Sequence, residues 1–164
     1  MDAQTLKAEA FKALHERPGI FVMPNPWDAG SAKMLASLGY QALALTDECS
    51  VAGVVRAHRQ IKQQQLKIRL IVGSYFRYGA DLRLLLLCPD RKAYAELCRV
   101  ITNARRRSSK GEYCLTEWDL MSLKHCLLLW LPAGDSESDT HWANWLKKYH
   151  GDRLWLAMRR QLSH

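Results

Sequence analysis

The chain has 164 residues, of which 48% are hydrophobic and 24% are charged, and its formal net charge is +8. That composition excludes a disordered chain, and no apolar run approaches the roughly 20 residues that a membrane-spanning helix needs. The N-terminus lacks the basic-then-apolar pattern of a signal peptide, and the five cysteines have no C-x-x-C spacing, so we expect a one-domain cytoplasmic protein with reduced thiols.

Helical and strand patterns alternate along the chain. Apolar residues at intervals of three and four predict helices, and short apolar runs between turn residues predict strands. In chain order, the predicted elements are a helix over Thr5–Glu16, a strand over Ile20–Met23, a helix over Ala29–Leu38, a strand over Gln41–Leu45, a helix over Val51–Gln65, strands over Ile68–Val72 and Leu82–Leu87, helices over Asp90–Arg107 and Glu117–Ser122, a strand over Cys126–Leu131, a helix over His141–Tyr149 and a strand over Leu154–Ala157.

This alternation predicts an α/β fold with a mostly parallel sheet. Asp28, Ser50 and Thr116 stand where they can cap the helices that follow them. In folds of this class, functional groups cluster at the carboxyl ends of strands. Two such ends carry polar residues, Asp47-Glu48 after one strand and Gly73-Ser74-Tyr75 after the next.

The adjacent carboxylates of Asp47 and Glu48 admit two interpretations. Carboxylates at a strand end are suitable ligands for a divalent metal. An acidic side chain just before a helix can instead stabilise that helix by about 0.5–2 kcal/mol, through capping and the helix dipole. The sequence alone leaves both open.

From about residue 38 onward, the chain resembles a known family. The segments "LGYQALALTDECSVAGVVRAH", "LIVGSYFR", "LRLLLL" and "ITNARRRSSKGEYCL" resemble, in this order, the N-terminal polymerase-and-histidinol-phosphatase domain of bacterial error-prone DNA polymerases. The resemblance covers roughly residues 38–160. It implies a distorted β/α barrel, left incomplete here, and a chain truncated at residue 164.

The first 45 residues resemble a different family. The segment "ALHERPGIFVMPNPWDAGSAKMLASLGYQALA" is similar to the start of the isocitrate lyase and phosphoenolpyruvate mutase family, whose members are also β/α barrels. We therefore divide the chain into lyase-like units at 1–45 and a truncated polymerase-type domain at 38–164, which together form one continuous structural unit. A natural fusion, a constructed chimera and a truncated gene all remain open.

The polymerase resemblance also predicts which of the family's metal ligands are present in this chain. Active members hold their metals with an H-x-H motif, a Thr-Asp-His motif and a later glutamate. This chain has no H-x-H motif, Glu48 follows Thr46-Asp47 in the histidine position, and Tyr75 stands in place of the glutamate. Asp47 and Glu48 are therefore the metal candidates, for magnesium, manganese or zinc.

The basic residues of the chain are concentrated in its middle. Residues 56–110 contain 14 lysines and arginines against three acidic residues, which suggests a polyanionic partner or a solvated basic face. The densest stretch contains Arg105, Arg106, Arg107 and Lys110. These side chains either contact phosphate, in DNA or the rest of a polymerase assembly, or favour a helix C-terminus through its dipole.

The combined prediction is a fragment of an error-prone DNA polymerase, acting in translesion synthesis and DNA repair, without catalysis of its own. One alternative is an isocitrate lyase or phosphoenolpyruvate mutase family enzyme that acts on small α-keto or hydroxy acids. Another is a non-catalytic basic module that binds nucleic acid or protein. No membrane partner is expected. Open sheet edges predict self-association.

Overall fold

The structure, a computed structural model, describes Pro24 and residues 29–157. The helix predicted over Thr5–Glu16, the strand over Ile20–Met23 and the cap at Asp28 lie outside these residues. The described helices are α1 (Ala29–Ser37), α2 (Gly53–Gln63), α3 (Arg91–Arg106), α4 (Glu117–Met121) and α5 (Ser136–His150), and the strands are β1 (Ala42–Leu45), β2 (Arg69–Tyr78), β3 (Leu82–Cys88), β4 (Leu127–Leu131) and β5 (Leu154–Leu156).

The described strands form one five-stranded sheet whose order, β1-β2-β3-β4-β5, is the order of the chain. The two outer pairs, β1 with β2 and β4 with β5, are parallel. The two inner pairs are antiparallel, and β2 and β3 are joined by a tight turn. The predicted α/β class is confirmed, and the sheet is open rather than closed into a barrel. The prediction of a mostly parallel sheet is wrong at both inner pairs, which are antiparallel.

The hairpin explains why sequence patterning misjudged strand β2. The strand was predicted to end at Val72, before Gly73-Ser74, but it continues to Tyr78 and pairs with β3 from Val72↔Cys88 to Tyr78↔Leu82. Gly73 has no side chain because β3 passes very close: a Cβ at this position would lie 2.7 Å from the Leu86 carbonyl oxygen. This glycine therefore marks a close approach of two backbones and does not end the strand.

The main core lies between the sheet and helices α3, α4 and α5. Alternate residues of a strand face opposite sides of a sheet, and Leu82, Leu84 and Leu86 of β3 point to this core. The helices contribute fully buried side chains that include Leu97, Leu120 and Leu146. A smaller apolar cluster, Ala42, Ala44, Ile71 and Leu87, includes β3 residue Leu87 and so lies on the opposite face.

Two helices begin with a side-chain cap, of which the sequence predicted the one at Thr116. At α4, the Thr116 side chain accepts a hydrogen bond from Asp119 N, and the Asp119 side chain accepts one from Thr116 N, a reciprocal capping box. At α3, the Asp90 side chain accepts from Ala93 N at 2.8 Å. The predicted Ser50 cap of α2 is wrong, because that helix starts after Ala52 without a side-chain cap.

A single buried carboxylate joins α3 to the segment before β4. Glu96 is 5% exposed, and its two oxygens accept hydrogen bonds from the backbone N–H groups of Lys124 (2.7 Å), His125 (2.9 Å) and Cys126 (3.0 Å). Burial alone would raise the pKa of Glu96, but the three backbone donors outweigh it and lower that pKa below its ordinary value. Glu96 is therefore ionised, and its hydrogen bonds join helix α3 to the segment before strand β4.

None of the helices in the described part of the chain is long and apolar enough to cross a membrane.

Candidate functional site at the end of strand β1

The segment after β1 runs beside strand β2. Glu48 forms an isolated parallel bridge with Tyr75. Cys49 N donates to Tyr75 O at 2.9 Å, and Tyr75 N donates to Asp47 O at 3.1 Å. The backbone of Asp47 to Cys49 is therefore held along the middle of β2, and the side chains of Asp47 and Glu48 are exposed. Tyr75, the residue that stands in the expected glutamate position, lies directly beside the two carboxylate residues.

Ser74 fixes the turn that leads from this segment to helix α2. Its side chain is fully buried, and its hydroxyl donates to Asp47 O at 2.7 Å and accepts from Ser50 N at 3.0 Å. A buried hydroxyl with both partners satisfied stabilises one conformation of the turn. The role of Ser74 depends on strand β2 continuing past it to Tyr78, and a strand that ended at Val72 would not reveal that role.

Glu48 is held by an arginine and a tyrosine. Its Oε1 atom accepts from Arg77 Nε at 2.8 Å and from the Tyr113 hydroxyl at 2.7 Å, and that hydroxyl in turn accepts from Arg77 N at 2.9 Å. Burial raises the pKa of Glu48, but the bonds from Tyr113 and Arg77 prevail and lower it. The side chains of Arg77 and Glu48 are 61% and 38% exposed, so water screens the pair and it adds little to the stability of the fold.

Asp47 lies next to the start of α2. Its Oδ2 atom is 2.8 Å from the position that a Cβ of Gly53 would occupy, so the glycine leaves room for the carboxylate at the first residue of this helix. A negative charge at this end is favoured by the partial positive charge of the helix N-terminus. The structure therefore supports the helix-stabilising interpretation of Asp47 through charge, without the side-chain capping bond.

Arg105 ties this site to the loop after α3. Its guanidinium donates to the carbonyl oxygens of Cys49 at 3.2 Å (Nη2) and Gly111 at 2.9 Å (Nη1), and it lies 5.6 Å from the centroid of the Tyr113 ring. An arginine in this position satisfies carbonyl groups of two separate loops. Arg105 was predicted as a phosphate contact, and its donors are directed towards the protein.

Arg107 also forms contacts within the protein. Its guanidinium pairs with Asp119 through Nη1 and Oδ2, and through Nη2 and Oδ1 at 3.1 Å. Asp119 is 3% exposed, and its Oδ2 also accepts from Thr116 N at 2.9 Å and Thr116 Oγ1 at 2.8 Å. Burial raises the pKa of Asp119, but Arg107 and Thr116 lower it overall.

The other two members of the basic stretch are oriented differently. Arg106, in the last turn of α3, and Lys110, in the following turn, are exposed. The structure thus separates the four predicted phosphate contacts by their bonding, since Arg105 and the partly exposed Arg107 bind groups of the protein, whereas Arg106 and Lys110 are exposed. Phosphate binding by this stretch stays a prediction.

The residues around Asp47 and Glu48 offer few donors for a divalent metal. Within residues 29–157, no group of three or more histidine, cysteine, aspartate or glutamate side chains comes together in a way that could hold a metal ion. Glu48 already accepts from Arg77 and Tyr113 through one oxygen. The described donor set does not fit a metal centre, and metal binding by Asp47 and Glu48 stays a prediction.

The sequence did not predict the two side chains that donate hydrogen bonds to Glu48. Arg77 lies further along a strand that was predicted to end at Val72, and Tyr113 follows α3 by a loop, 65 positions after Glu48. Alternation along a longer β2 would have placed Tyr75 and Arg77 on one face of the sheet, and this was the available signal for Arg77.

Comparison with known proteins relates most of the chain to bacterial DNA polymerases. Over 127 residues, 77% of the chain, it is 61% identical to the error-prone DNA polymerase of Vibrio vulnificus strain YJ016. It is 61% identical over 123 residues to that of Vibrio campbellii and 46% identical over 127 residues to that of Teredinibacter turnerae. The chain spans 12% of the length of each of these relatives.

These similarities identify first the class of protein to which most of the chain is related, and then the kind of polymerase within that class. The larger part of the chain is homologous to DNA polymerases of bacteria. More particularly, it corresponds to a segment of the error-prone DNA polymerases, with identities from 42% to 61% among the relatives compared. The polymerase resemblance expected from "TDECS" and the later segments is confirmed.

The beginning of the chain has a separate similarity. The family described as phosphoenolpyruvate phosphomutase matches residues 11–59, which end within helix α2. This match overlaps the segment for which a lyase and mutase resemblance was predicted. The division into units at 1–45 and 38–164 stays a prediction.

Among solved structures, the chain is similar to a Bifidobacterium adolescentis protein assigned as a metal-dependent phosphoesterase. The TM-score is 0.34 with 15% sequence identity, and the match covers 48% of this chain and 29% of the other. This similarity is too low to define a common fold.

Proposed function

We propose that this chain is a structural segment of an error-prone DNA polymerase and has no catalytic activity of its own. In the complete enzyme, it would support DNA synthesis across damaged templates, as part of DNA repair. The observation that carries the proposal is 61% identity over 127 residues to a polymerase of which the chain spans 12%. Contacts within the chain add support, since Glu48 and Arg105, at the site after β1, and Arg107, beside α4, are engaged in bonds to the segment itself.

The proposal can be tested by exchanging the matching segments of this chain and a related polymerase. In the polymerase of Vibrio vulnificus, the aligned 127 residues are replaced by those of this chain. If the segment is structural, its own contacts suffice to complete the enzyme, and we expect the chimera to extend a primed template at a rate within about threefold of the parent. The isolated chain should extend no primer in the same assay.

The control is the same chimera with Asp119→Ala, which breaks the Arg107 pair and the α4 capping box. This variant should lose thermal stability and, with it, primer extension at elevated temperature. A chimera that is folded and soluble, yet inactive at all temperatures, would contradict the proposal.

A second role, contact with single-stranded DNA, is supported by one observation. The side chains of Arg106, in the last turn of α3, and Lys110, in the turn that follows, are both exposed, in a region that carries 14 basic residues against three acidic ones over positions 56–110. Such a surface attracts a polyanion. We assign the phosphate contact to these two side chains, because Arg105 and Arg107 are committed to carbonyl and carboxylate groups.

We expect the double substitution Arg106→Gln/Lys110→Gln to weaken the binding of a fluorescein-labelled single strand about three- to tenfold at low salt. Two lost contacts should also make the slope of log K against log salt shallower by about 1.4, since each phosphate on a single strand contributes about 0.7. Fluorescence anisotropy over a salt series gives both values.

The matched control is Lys147→Gln/Lys148→Gln, which removes the same charge from the last turn of α5. It should leave the slope almost unchanged. An equal loss of affinity in both double variants would mean that only net charge matters, and the specific assignment would be wrong.

A further inference from the structure

Two cysteines stand opposite each other at the end of the β3–β4 ladder. The antiparallel register pairs Leu86 with Leu128 and Leu87 with Leu127. One further step along both strands places Cys88 opposite Cys126. Directly opposed residues of an antiparallel pair share one face of the sheet, with Cα atoms roughly 4.5–5.5 Å apart. That separation lies within the range of about 4.4–6.8 Å that a disulfide requires.

The side chains of these two cysteines meet on the core face. Cys126 is fully buried and belongs to the main core, and Cys88 is partly buried and packs against the same cluster. Contact with the Cys88 sulfur, together with burial, raises the pKa of the Cys126 thiol. Both thiols are free. The Cys126 thiol also donates to the Ala93 carbonyl oxygen of α3 at 3.3 Å, which fixes its position beside Cys88.

We propose that Cys88 and Cys126 form a reversible cross-strand disulfide when the chain meets a thiol oxidant of the glutathione disulfide class. The other cysteines are placed less favourably. Cys49 is buried at the far end of the site after β1, and Cys114 is exposed in the loop before α4. Cys98 on α3 interacts with the Tyr94 hydroxyl, a contact that raises the pKa of Tyr94.

The reaction proceeds in two exchanges. The thiolate of Cys88, the more accessible of the pair, attacks one sulfur of glutathione disulfide, which gives a mixed disulfide and one released glutathione that takes up the proton of Cys88. Cys126 then loses its proton and attacks the Cys88 sulfur of the mixed disulfide. The second glutathione leaves and takes up that proton. The protein has given up two electrons and two protons, and one glutathione disulfide has become two glutathione thiols.

The order of the exchanges follows from burial. Cys126 has no exposed surface and its raised pKa keeps it protonated, so it reacts only with a disulfide formed beside it. Because the fold already holds the two sulfurs together, the second exchange is intramolecular and has a high effective concentration.

The 164-residue chain offers a direct test, since trypsin separates all five cysteines. Cys88 falls in the peptide Leu84–Arg91, Cys126 in His125–Lys147, Cys98 in Ala93–Arg99, Cys114 in Gly111–Lys124 and Cys49 in Met34–Arg56. The chain is equilibrated in glutathione buffers of decreasing thiol-to-disulfide ratio. Remaining thiols are then alkylated, and the chain is digested without reduction for mass spectrometry.

We expect the linked peptide of Cys88 and Cys126 to be the main intrachain disulfide of the native chain, and to disappear on addition of dithiothreitol. In concentrated urea, the effective concentration of this pair should fall at least tenfold, and the link should lose its preference over the other pairs. Equal formation in native and unfolded chains, or a main product that involves Cys49, Cys98 or Cys114, would overturn the proposal.

Two variants make the test independent of a single substitution. Cys114→Ser should leave the link unchanged, because Cys114 is distant from it. Cys88→Ser should abolish the link and leave Cys126 unmodified by glutathione in the folded chain. Glutathione attached to Cys126 in folded Cys88→Ser would contradict the assigned order of exchange. The wild-type measurement stands even if Cys88→Ser fails to fold.

Discussion

Replacing Glu96 by alanine is expected to lower the free energy of unfolding by about 3 kcal/mol. The substitution removes the acceptor of three backbone N–H groups, those of Lys124, His125 and Cys126, and the Cys126 group is buried without an alternative partner from water. It also leaves a cavity between α3 and the start of β4. Urea unfolding followed by tryptophan fluorescence measures the loss. The exposed Glu112→Ala is the matched control and should change stability by less than about 0.5 kcal/mol.

The isosteric variant Glu96→Gln separates charge from packing. Glutamine keeps one acceptor oxygen but turns an amide group towards N–H donors, so we expect a loss of about 2 kcal/mol. The folded pKa of Glu96 is lowered, so its ionic contribution is complete above the unfolded value of about 4.3 and is lost as the pH falls through the lower, folded value. The difference between wild type and Glu96→Gln should therefore be constant near neutral pH and shrink in acid. A difference that does not depend on pH down to pH 2 would show that the carboxylate charge contributes nothing.

Replacing Asp119 by alanine is expected to cost about 3 kcal/mol. It breaks the ion pair with Arg107 and removes half of the capping box with Thr116, which alone is worth about 1 kcal/mol. The rest of the loss comes from the Thr116 groups that lose their acceptor on the buried Asp119 side chain, at about 1–3 kcal/mol. The Arg107 side chain is 36% exposed, so water can solvate it after the loss and no buried unpaired charge is left. Chemical denaturation gives the total effect.

A double-mutant cycle apportions this effect between the two partners of Asp119. Arg107→Gln, alone and combined with Asp119→Ala, should show a measurable coupling free energy. The remaining cost of Asp119→Ala then belongs to the cap of α4. Additive single effects would mean that the Arg107 contact adds no stability and that capping alone explains the role of Asp119.

The sequence was sufficient for features that depend on local signals. The cap at Thr116 and the apolar strand at Leu82–Leu87 were predicted because a cap or an apolar run is complete within a few residues. The long helix over Asp90–Arg107 was found within one residue at either end. The α/β class followed from the same patterns.

The errors arose where partners are far apart in the chain. Gly73 suggested the end of a strand, but the reason for a glycine there is the approach of the Leu86 carbonyl group on β3. The short β2 hid the hairpin and its antiparallel pairs. It also hid Arg77 as a partner of Glu48, and only the folded sheet brings Tyr113 to the same carboxylate. Likewise, charge density could not separate Arg105 and Arg107, which bind groups of the protein, from Arg106 and Lys110, which face solvent.

Because the spatial order of the strands is the order of the chain, each strand needs only the one synthesised just before it in order to pair. The β2–β3 hairpin can form as soon as Cys88 has left the ribosome, and β4 can add to it before β5 exists. Short sequence separations between contacting elements lower the entropy lost in closing loops, which speeds folding. The topology therefore permits the sheet to grow from its N-terminal to its C-terminal strand during translation, whereas Glu96 can bind its three backbone donors only after residue 126 has emerged.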